Sequence, residues 1–357
     1  MSLKPSLNWL LAFSPVAIGL EMRHAEAPLV FFAAALSIVP IAALLVHATE
    51  QLAVRTGDAV GGLLNATFGN APELIIAIVA LKAGLMQMVL ASIIGAVLAN
   101  LLLALGLAFF LGGLKKHDQE YNAGAARVYS SIMLITVIML AAPGAFENLF
   151  GAEAAALKSD SINVGLAVLL LALYVLYLVF MLKTHPDLFV SKGGGPEAHS
   201  AEWSVGRAVG TLVAASVGAA FMSEILVGAA EATGEALGMS QVFIGVVLLA
   251  LIGGAAELGA AVTMGMRDRL DLSIGIALGS CMQIALFVAP VLVLVSYFIA
   301  PEPLRLEFNR TAVGALLLSV LIGAVVSADG HSNWYKGVQL VAVYLVLALL
   351  MYLAPGM

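Results

Sequence analysis

Long apolar stretches fill almost the whole chain, and they decide what it can fold into. A helix that crosses a bilayer needs about 20 mainly apolar residues. Eleven stretches approach or exceed that length, at residues 7–20, 28–52, 60–81, 86–112, 125–142, 162–182, 206–229, 241–265, 271–299, 311–327 and 335–353. No gap between them is long enough for a separate folded unit. The sequence therefore predicts one all-α polytopic membrane protein with about 11 transmembrane helices.

Composition excludes the soluble alternatives. Of the 357 residues, 62% are hydrophobic and 11% are charged, whereas roughly 25% of an ordinary soluble domain is charged. So few charges cannot cover the surface of a soluble enzyme or keep a chain disordered. The net charge of −6 gives no reason to expect a nucleic-acid partner. The expected surroundings are a lipid bilayer.

The first stretch has two interpretations. Lys4, the apolar run and Ala25-Glu26-Ala27 together resemble a cleavable signal peptide. Pro28 follows directly and disfavours cleavage there. Residues 1–27 are therefore predicted to remain as a first helix.

Lysine and arginine residues predict the orientation. With the N-terminus in the cytoplasm, the inside loops hold Lys4, Arg55, Lys115, Lys116, Arg127, Lys183, Lys192, Arg207, Arg267, Arg269 and Lys336, and the outside loops hold Arg23, Lys82, Lys158, Arg305 and Arg310. Eleven of the 16 basic residues then lie inside. We expect a cytoplasmic N-terminus, an outside C-terminus and a prokaryotic cell membrane.

Two segments repeat at an offset of 184 residues. Residues 69–74 read Gly-Asn-Ala-Pro-Glu-Leu, and residues 253–258 read Gly-Gly-Ala-Ala-Glu-Leu. A second matched helix follows each, with Asn100 after Gly95 and Gln283 after Gly279. The sequence predicts five-helix repeats at 28–182 and 206–357, joined by a cytoplasmic linker at 183–205. Five crossings per repeat invert the second against the first, as in many secondary transporters.

Glu73 and Glu257 lie at matched places inside apolar spans. A charged side chain at mid-bilayer costs about 2.5–3.5 kcal/mol on insertion scales, so a shared cation site is favoured over two protonated packing residues. Gly69, Gly253 and Pro72 can interrupt a transmembrane helix there. Carbonyls freed by such a break can face an ion.

Neutral oxygens accompany the pair. Asn100 and Gln283 could act as ligands or only form an interhelical hydrogen bond, worth about 0.6 kcal/mol on average. Ser280 adds a hydroxyl. Hard oxygen ligands without a His/Cys cluster suit calcium. Two carboxylates can hold one divalent cation or protons, and this competition is sufficient for exchange.

A proton or ion path is predicted at Glu224 and Glu231. Seven residues separate them, which places them on about the same face of a continuous helix.

These motifs resemble the calcium/proton antiporters of the calcium/cation antiporter superfamily. The first repeat carries the family's Gly-Asn-Ala-x-Glu-Leu at 69–74, residues 183–189 resemble its loop between the halves, and residues 329–344 resemble its terminal signature. The resemblance implies a calcium extruder driven by protons. It also implies that Glu73 and Glu257 are the acidic ligands and that Asn70, Asn100, Ser280 and Gln283 line the ion site.

The chain departs from the family's pattern in the second motif, in the helix after the first motif and in the acidic stretch between the halves, which is reduced to Glu197 and Glu202. Gly254 stands where the second motif usually has asparagine, Leu258 where it has histidine, and Ala96 where a serine is usual. Exchange of another cation pair therefore stays an alternative, such as sodium for calcium, or protons for manganese, potassium or sodium. No catalytic motif indicates an enzyme, and no cofactor is expected beyond the transported ions. An oligomer is possible but does not follow from the sequence.

Overall fold

The computed structural model describes residues 7–56, 58–189 and 202–353. In the first half the helices are α1 (Phe13–Met22), α2 (Ala27–Thr56), α3 (Asp58–Phe68), α4 (Ala71–Lys82), α5 (Met86–Leu98), α6 (Leu105–Lys115), α7 (Ala123–Leu140), α8 (Ala142–Phe150) and α9 (Ala152–Val179). In the second half they are α10 (Val205–Gly228), α11 (Ala230–Leu237), α12 (Gln241–Phe243), α13 (Ala250–Gly253), α14 (Ala255–Met266), α15 (Leu270–Gln283), α16 (Ala289–Ile299), α17 (Arg310–Val326) and α18 (Trp334–Leu353).

Short segments of other types join these helices. Leu7–Ala12 and Pro186–Leu188 are 3₁₀ helices. Ala99–Ala104, Phe180–Thr184, Ile244–Leu249 and Ile284–Val288 are π-helical. The strands β1 (Gln119–Glu120) and β2 (His331–Ser332) form a two-stranded antiparallel sheet.

Seven helical stretches in the described residues are long and apolar enough to cross a membrane. They are Ala27–Thr56, Met86–Lys115, Ala123–Leu140, Lys158–Thr184, Val205–Gly228, Leu270–Ile299 and Trp334–Leu353. Leu7–Met22 and Arg310–Val326 are apolar but shorter. The predicted class, an all-α multi-pass membrane protein, is confirmed at this level.

Two of the predicted spans contain a break at matched positions. The span at 60–81 divides between α3 and α4 at Asn70, where φ is −98° and ψ is 27°. The span at 241–265 divides between α13 and α14 at Gly254, where φ is −81° and ψ is 13°. Asn70 and Gly254 are 184 residues apart, the offset of the sequence repeat. In the first break Pro72 fits the start of α4, because the first turn of a helix does not use its N–H groups.

The helices after the breaks also change winding at matched positions. α5 continues into the π-helical segment Ala99–Ala104, and α15 continues into Ile284–Val288. With the offset of 184, these two segments occupy equivalent positions of the sequence repeat to within one residue. Such π-helical segments are rare and frequently lie at functional sites.

Loops collect into groups that tie distant parts of the chain together. In one group β1 pairs with β2, Gln119 Nε2 donates to Asp268 Oδ1 at 2.8 Å, and Asn122 Nδ2 donates to the Leu188 carbonyl at 3.0 Å. A different group joins residues 159–163 to residues 305–307, where Leu306 N donates to Asn163 Oδ1 at 2.8 Å. Each group joins residues from both halves of the sequence, and in the second the first-half residues 159–163 belong to α9.

The helices of the two halves pack against each other in pairs. α2 lies along α10, α6 along α18, and α9 along α16. Glycine makes the α6–α18 contact close, since a β-carbon added to Gly337 would lie 2.2 Å from Phe110 N. Close approach at glycine is the usual way in which membrane helices pack. The carboxylate-bearing helices α4 and α14 lie inside this arrangement.

Candidate cation site

Glu73 of the first half lies against the helix break of the second half. It occupies the first turn of α4. A β-carbon added to Gly253 would lie 2.9 Å from Glu73 Cγ, and one added to Gly254 would lie 3.5 Å from Glu73 Oε1. Glycine at position 253 therefore leaves the space that the Glu73 side chain occupies, whereas the contact at position 254 is an ordinary van der Waals distance.

Glu257 holds the matched place in the first turn of α14 and is 7% exposed. Gly253 and Gly254, which Glu73 contacts, precede Glu257 by four and three residues. All four of their oxygen atoms are buried, and none has a hydrogen-bond partner among the described residues. Buried carboxylate oxygens are normally satisfied. Four oxygens left free to accept therefore point to a site for a cation or for protons.

A carboxamide pair joins the halves beside these glutamates. Asn70 Nδ2, at the first break, donates a short hydrogen bond to Gln283 Oε1 at the end of α15. Asn70 is 1% exposed, and its Oδ1 is buried without a partner among the described residues. A β-carbon added to Gly69 would lie 3.5 Å from Gln283 Oε1. The structure thus brings together Gly69, Asn70 and Gln283, which the sequence named as site residues.

Asn100 and Ser280 are both buried, at 3% and 7% exposure. Asn100 lies in the π-helical segment Ala99–Ala104, which packs against α14, the helix of Glu257. Ser280 lies in α15, three residues before Gln283. Both therefore stand on elements that contact the site.

A small cavity lies beside Glu73. It is large enough to hold one water molecule. Its lining includes Ser92 and Ala96 of α5 and Ala250 of α13. Sequence reasoning missed Ser92, although its spacing of four from Ala96 and eight from Asn100 would have placed all three on one helix face.

The structure does not join Glu224 and Glu231 to this site. Glu224 is exposed on α10, and Glu231 is exposed on α11, where its Oε1 accepts a hydrogen bond of 2.5 Å from Gln241 Nε2. The helix is interrupted at Ala229. The premise that the two glutamates share one continuous helix is therefore wrong.

The donor set limits the chemistry. In the described part of the chain no group of three or more His, Cys, Asp or Glu side chains is placed to hold a metal ion. Two carboxylates and neutral oxygens remain, and such hard ligands suit Ca²⁺ better than zinc or copper. Both glutamates also stand at helix N-termini, where the helix dipole favours negative charge.

The fold and the site define the class: a multi-pass membrane transport protein with a buried acidic pair. The model of the sodium/calcium exchanger protein family matches residues 26–183 and 207–353. The chain therefore belongs to this family and to the calcium/cation antiporter superfamily, as the motifs indicated.

Individual relatives match over nearly the whole chain. A Ca²⁺/H⁺ antiporter of Aphanothece halophytica is 40% identical, covering 97% of this chain and 96% of the relative. The Ca²⁺/H⁺ antiporter ChaA of Bacillus subtilis is 39% identical, covering 94% and 95%. The solved structure of native YfkE superposes with a TM-score of 0.84 at 36% identity, covering 98% of this chain and 100% of that chain.

Proposed function

We propose that this protein is a secondary active transporter that exports Ca²⁺ from the cytoplasm in exchange for protons. The observation that carries the proposal is the pair Glu73 and Glu257, whose four buried oxygens have no partner among the described residues. A divalent cation balances two negative charges in a medium of low dielectric, and protons can replace it on the same oxygens. The Ca²⁺/H⁺ antiporters among the relatives support this choice of ions.

The proposed ligands of the cation come from both halves. Glu73 and Glu257 supply the charge. The neutral oxygens come from the side chains of Asn70, Asn100, Ser280 and Gln283 and from the backbone carbonyls of Gly69 and Gly253. Burial of Asn70, Asn100 and Ser280 supports this set. So does the contact between Asn70 and Gln283 across the halves.

We propose that the halves are inverted five-helix repeats preceded by one N-terminal helix, eleven spans in all. The matched breaks at Asn70 and Gly254 and the matched π-helical segments support this arrangement. The two segments matched by the family model, 26–183 and 207–353, lie close to the proposed repeats at 28–182 and 206–357. The linker at 183–205 lies partly outside the described residues.

The proposed orientation has a cytoplasmic N-terminus and an outside C-terminus in a cell membrane. Contacts between the connecting segments agree with the number of membrane crossings proposed after the N-terminal helix. Loops proposed as inside, at 119–122, 265–268 and 331–332, contact one another. On the side proposed as outside, Ser159 and Asp160, just before the span predicted at 162–182, contact Glu307 and Arg305 of the loop before α17. The excess of basic residues in the first set supports its placement in the cytoplasm.

A proton path through Glu224 and Glu231 is a separate proposal. Glu224 is exposed on α10, and α10 packs against α4, which carries Glu73. Substitution Glu224→Gln tests the path, because it should slow proton-driven transport while leaving Ca²⁺ binding to purified protein intact. Unchanged transport would remove Glu224 from the mechanism.

The purified protein in liposomes tests the main proposal. When the vesicle interior is more acidic than the medium, protons leaving the vesicles should drive Ca²⁺ uptake. A protonophore, which dissipates this pH gradient, should stop the uptake. Liposomes without protein serve as the control. If a sodium gradient drives Ca²⁺ uptake and a proton gradient does not, the protein exchanges another cation pair and the proposal is wrong.

A further inference from the structure

An open groove runs along the surface of the protein between a helix of each half. Its walls are Leu11 of the first 3₁₀ helix, Ile41 and Leu44 of α2, and one face of α10 from Gly206 to Gly218. Its volume is about 470 Å³, within the range of about 300–1,000 Å³ that is usual for small-molecule sites. Both α2 and α10 are long and apolar enough to cross a membrane, so this open surface contacts lipid.

The length of the groove matches the depth of one lipid leaflet. Gly206 and Gly218 lie twelve residues apart on α10, which is about 18 Å at the helical rise of about 1.5 Å per residue. The hydrocarbon core of a bilayer is about 30 Å thick, so one leaflet supplies about 15 Å. The wall residues are apolar or glycine except for Arg207 and Thr211. Such a groove fits one acyl chain that runs from the membrane surface towards the midplane.

Arg207 marks the end of the groove that lies at the membrane surface. Its guanidinium stacks on the ring of Trp203, with 4.4 Å between Cζ and the ring centroid. α2 holds this tryptophan in place, because the Trp203 N–H donates to Gln51 Oε1 at 3.0 Å and the Trp203 carbonyl accepts from Arg55 Nε at 2.7 Å. Tryptophan suits the interface between water and hydrocarbon. The charge of Arg207 is therefore held at the level of the lipid headgroups.

No carboxylate of the described residues forms an ion pair with Arg207. Glu50 pairs instead with His47, at 3.6 Å, and His47 packs on the Trp203 ring. Stacking occupies the face of a guanidinium and leaves its N–H groups directed outward in its plane, where their geometry matches that of a phosphate. An anionic group at this end of the groove would meet a fixed positive charge.

We propose that the groove binds an anionic phospholipid, with its phosphate on Arg207 and one acyl chain along α10 between Gly206 and Gly218. The proposed orientation places this end of α10 in the cytoplasm, and basic pockets between membrane helices on that side bind anionic headgroups. The lipid contacts α2 of the first half and α10 of the second. The inference goes beyond ion exchange and holds whichever cations the protein exchanges.

Native mass spectrometry of the purified protein measures the lipids that it retains. Phosphatidylglycerol should be retained in preference to phosphatidylcholine with the same acyl chains, because the choline group compensates the phosphate charge. Arg207→Gln should remove the preference and lower the affinity for phosphatidylglycerol by about tenfold, as expected for the loss of a hydrogen bond between charged groups. Arg207→Lys keeps the charge without the planar fork and should give an intermediate affinity.

Gly210→Leu tests the acyl-chain part of the groove. A β-carbon added to Gly210 would meet no described atom within 4 Å, so leucine fits there and extends into the groove. It should lower the retention of both lipids. Gly165→Leu, on α9, is the matched control, since a β-carbon there also meets no described atom within 4 Å. It should leave the retention of both lipids unchanged.

Equal retention of the two lipids by the unsubstituted protein would overturn the inference. Unchanged retention of phosphatidylglycerol by Arg207→Gln would do the same, and so would an equal loss of both lipids in that variant, which would indicate a disturbed groove. The same spectra report the oligomeric state. If Gly210→Leu separates an oligomer into single chains and leaves lipid retention unchanged, a second copy of this chain occupies the groove and the inference is wrong.

Discussion

Cys281 and Val97 touch each other from equivalent positions of the two halves. They are 184 residues apart, and Cys281 Sγ lies 3.5 Å from the Val97 carbonyl oxygen, to which it donates. Two equivalent residues of a two-fold pair can meet only close to the axis that relates them. The contact supports an axis between α5 and α15, the helices that follow the two carboxylate-bearing helices.

Neutralising either glutamate should abolish exchange. Glu73→Gln and Glu257→Gln each remove one of the two charges that would balance Ca²⁺. Both glutamates lie in the first turn of their helices, so the two substitutions should have the same effect. Proton-driven Ca²⁺ uptake into liposomes measures the effect. Glu302→Gln, on an exposed loop, is the control and should transport normally. Full transport by Glu257→Gln would show that the cation does not need the pair.

Ca²⁺ affinity should fall as the pH falls. Protons and Ca²⁺ compete for the same four buried oxygens, so each proton bound removes charge from the cation site. Binding to the purified protein, measured by calorimetry from about pH 8 to about pH 6, should weaken steadily. An affinity that stays constant over this range would contradict a shared site.

Alanine at Gly253 should weaken Ca²⁺ binding. Its β-carbon would lie 2.9 Å from Glu73 Cγ and would displace that side chain. We expect a loss of affinity of about tenfold or more, in line with the cost of overpacking. Gly259→Ala is the matched control on α14, since a β-carbon there meets no described atom within 4 Å. Equal affinities in the two variants would show that Gly253 does not hold Glu73 in place.

Asp329 should stabilise the fold only while it is ionised. Burial disfavours its charged form, but hydrogen bonds from Lys336 Nζ and the His331 N–H outweigh burial and hold its pKa below the usual range. A carboxyl whose pKa is lowered by folding contributes stability above its unfolded pKa and loses it as the pH falls through the folded value.

Asp329→Asn should therefore lower the melting temperature at neutral pH by a small amount, since partly exposed ion pairs contribute at most about 1 kcal/mol. The difference from the unsubstituted protein should shrink as the pH falls below the ordinary carboxyl value of 3.8. Asp187→Asn, in the exposed 3₁₀ helix Pro186–Leu188, is the control and should leave the melting temperature at neutral pH unchanged. A difference that grows in acid would contradict the assignment.

The acidic pair was predictable because its signal is local. Glu73 and Glu257 are charged residues inside apolar spans, and the bilayer penalises such residues wherever the rest of the chain lies. The repeat at an offset of 184 could be found by comparing the sequence with itself. Ser92 was missed because a serine inside a helix usually satisfies its hydroxyl locally, and its own hydroxyl does donate to the Val89 carbonyl.

The sequence by itself determined the class of protein, the places of the two carboxylates and the likeness of the halves, since apolar length, isolated charge and repetition are properties of short segments. Only the tertiary structure decided that Glu73 lies on Gly253 and that Asn70 pairs with Gln283. These contacts join residues about 180 to 210 positions apart, and their existence depends on how whole helices cross. Helix crossing is set by the packing of many side chains together, which no single segment encodes.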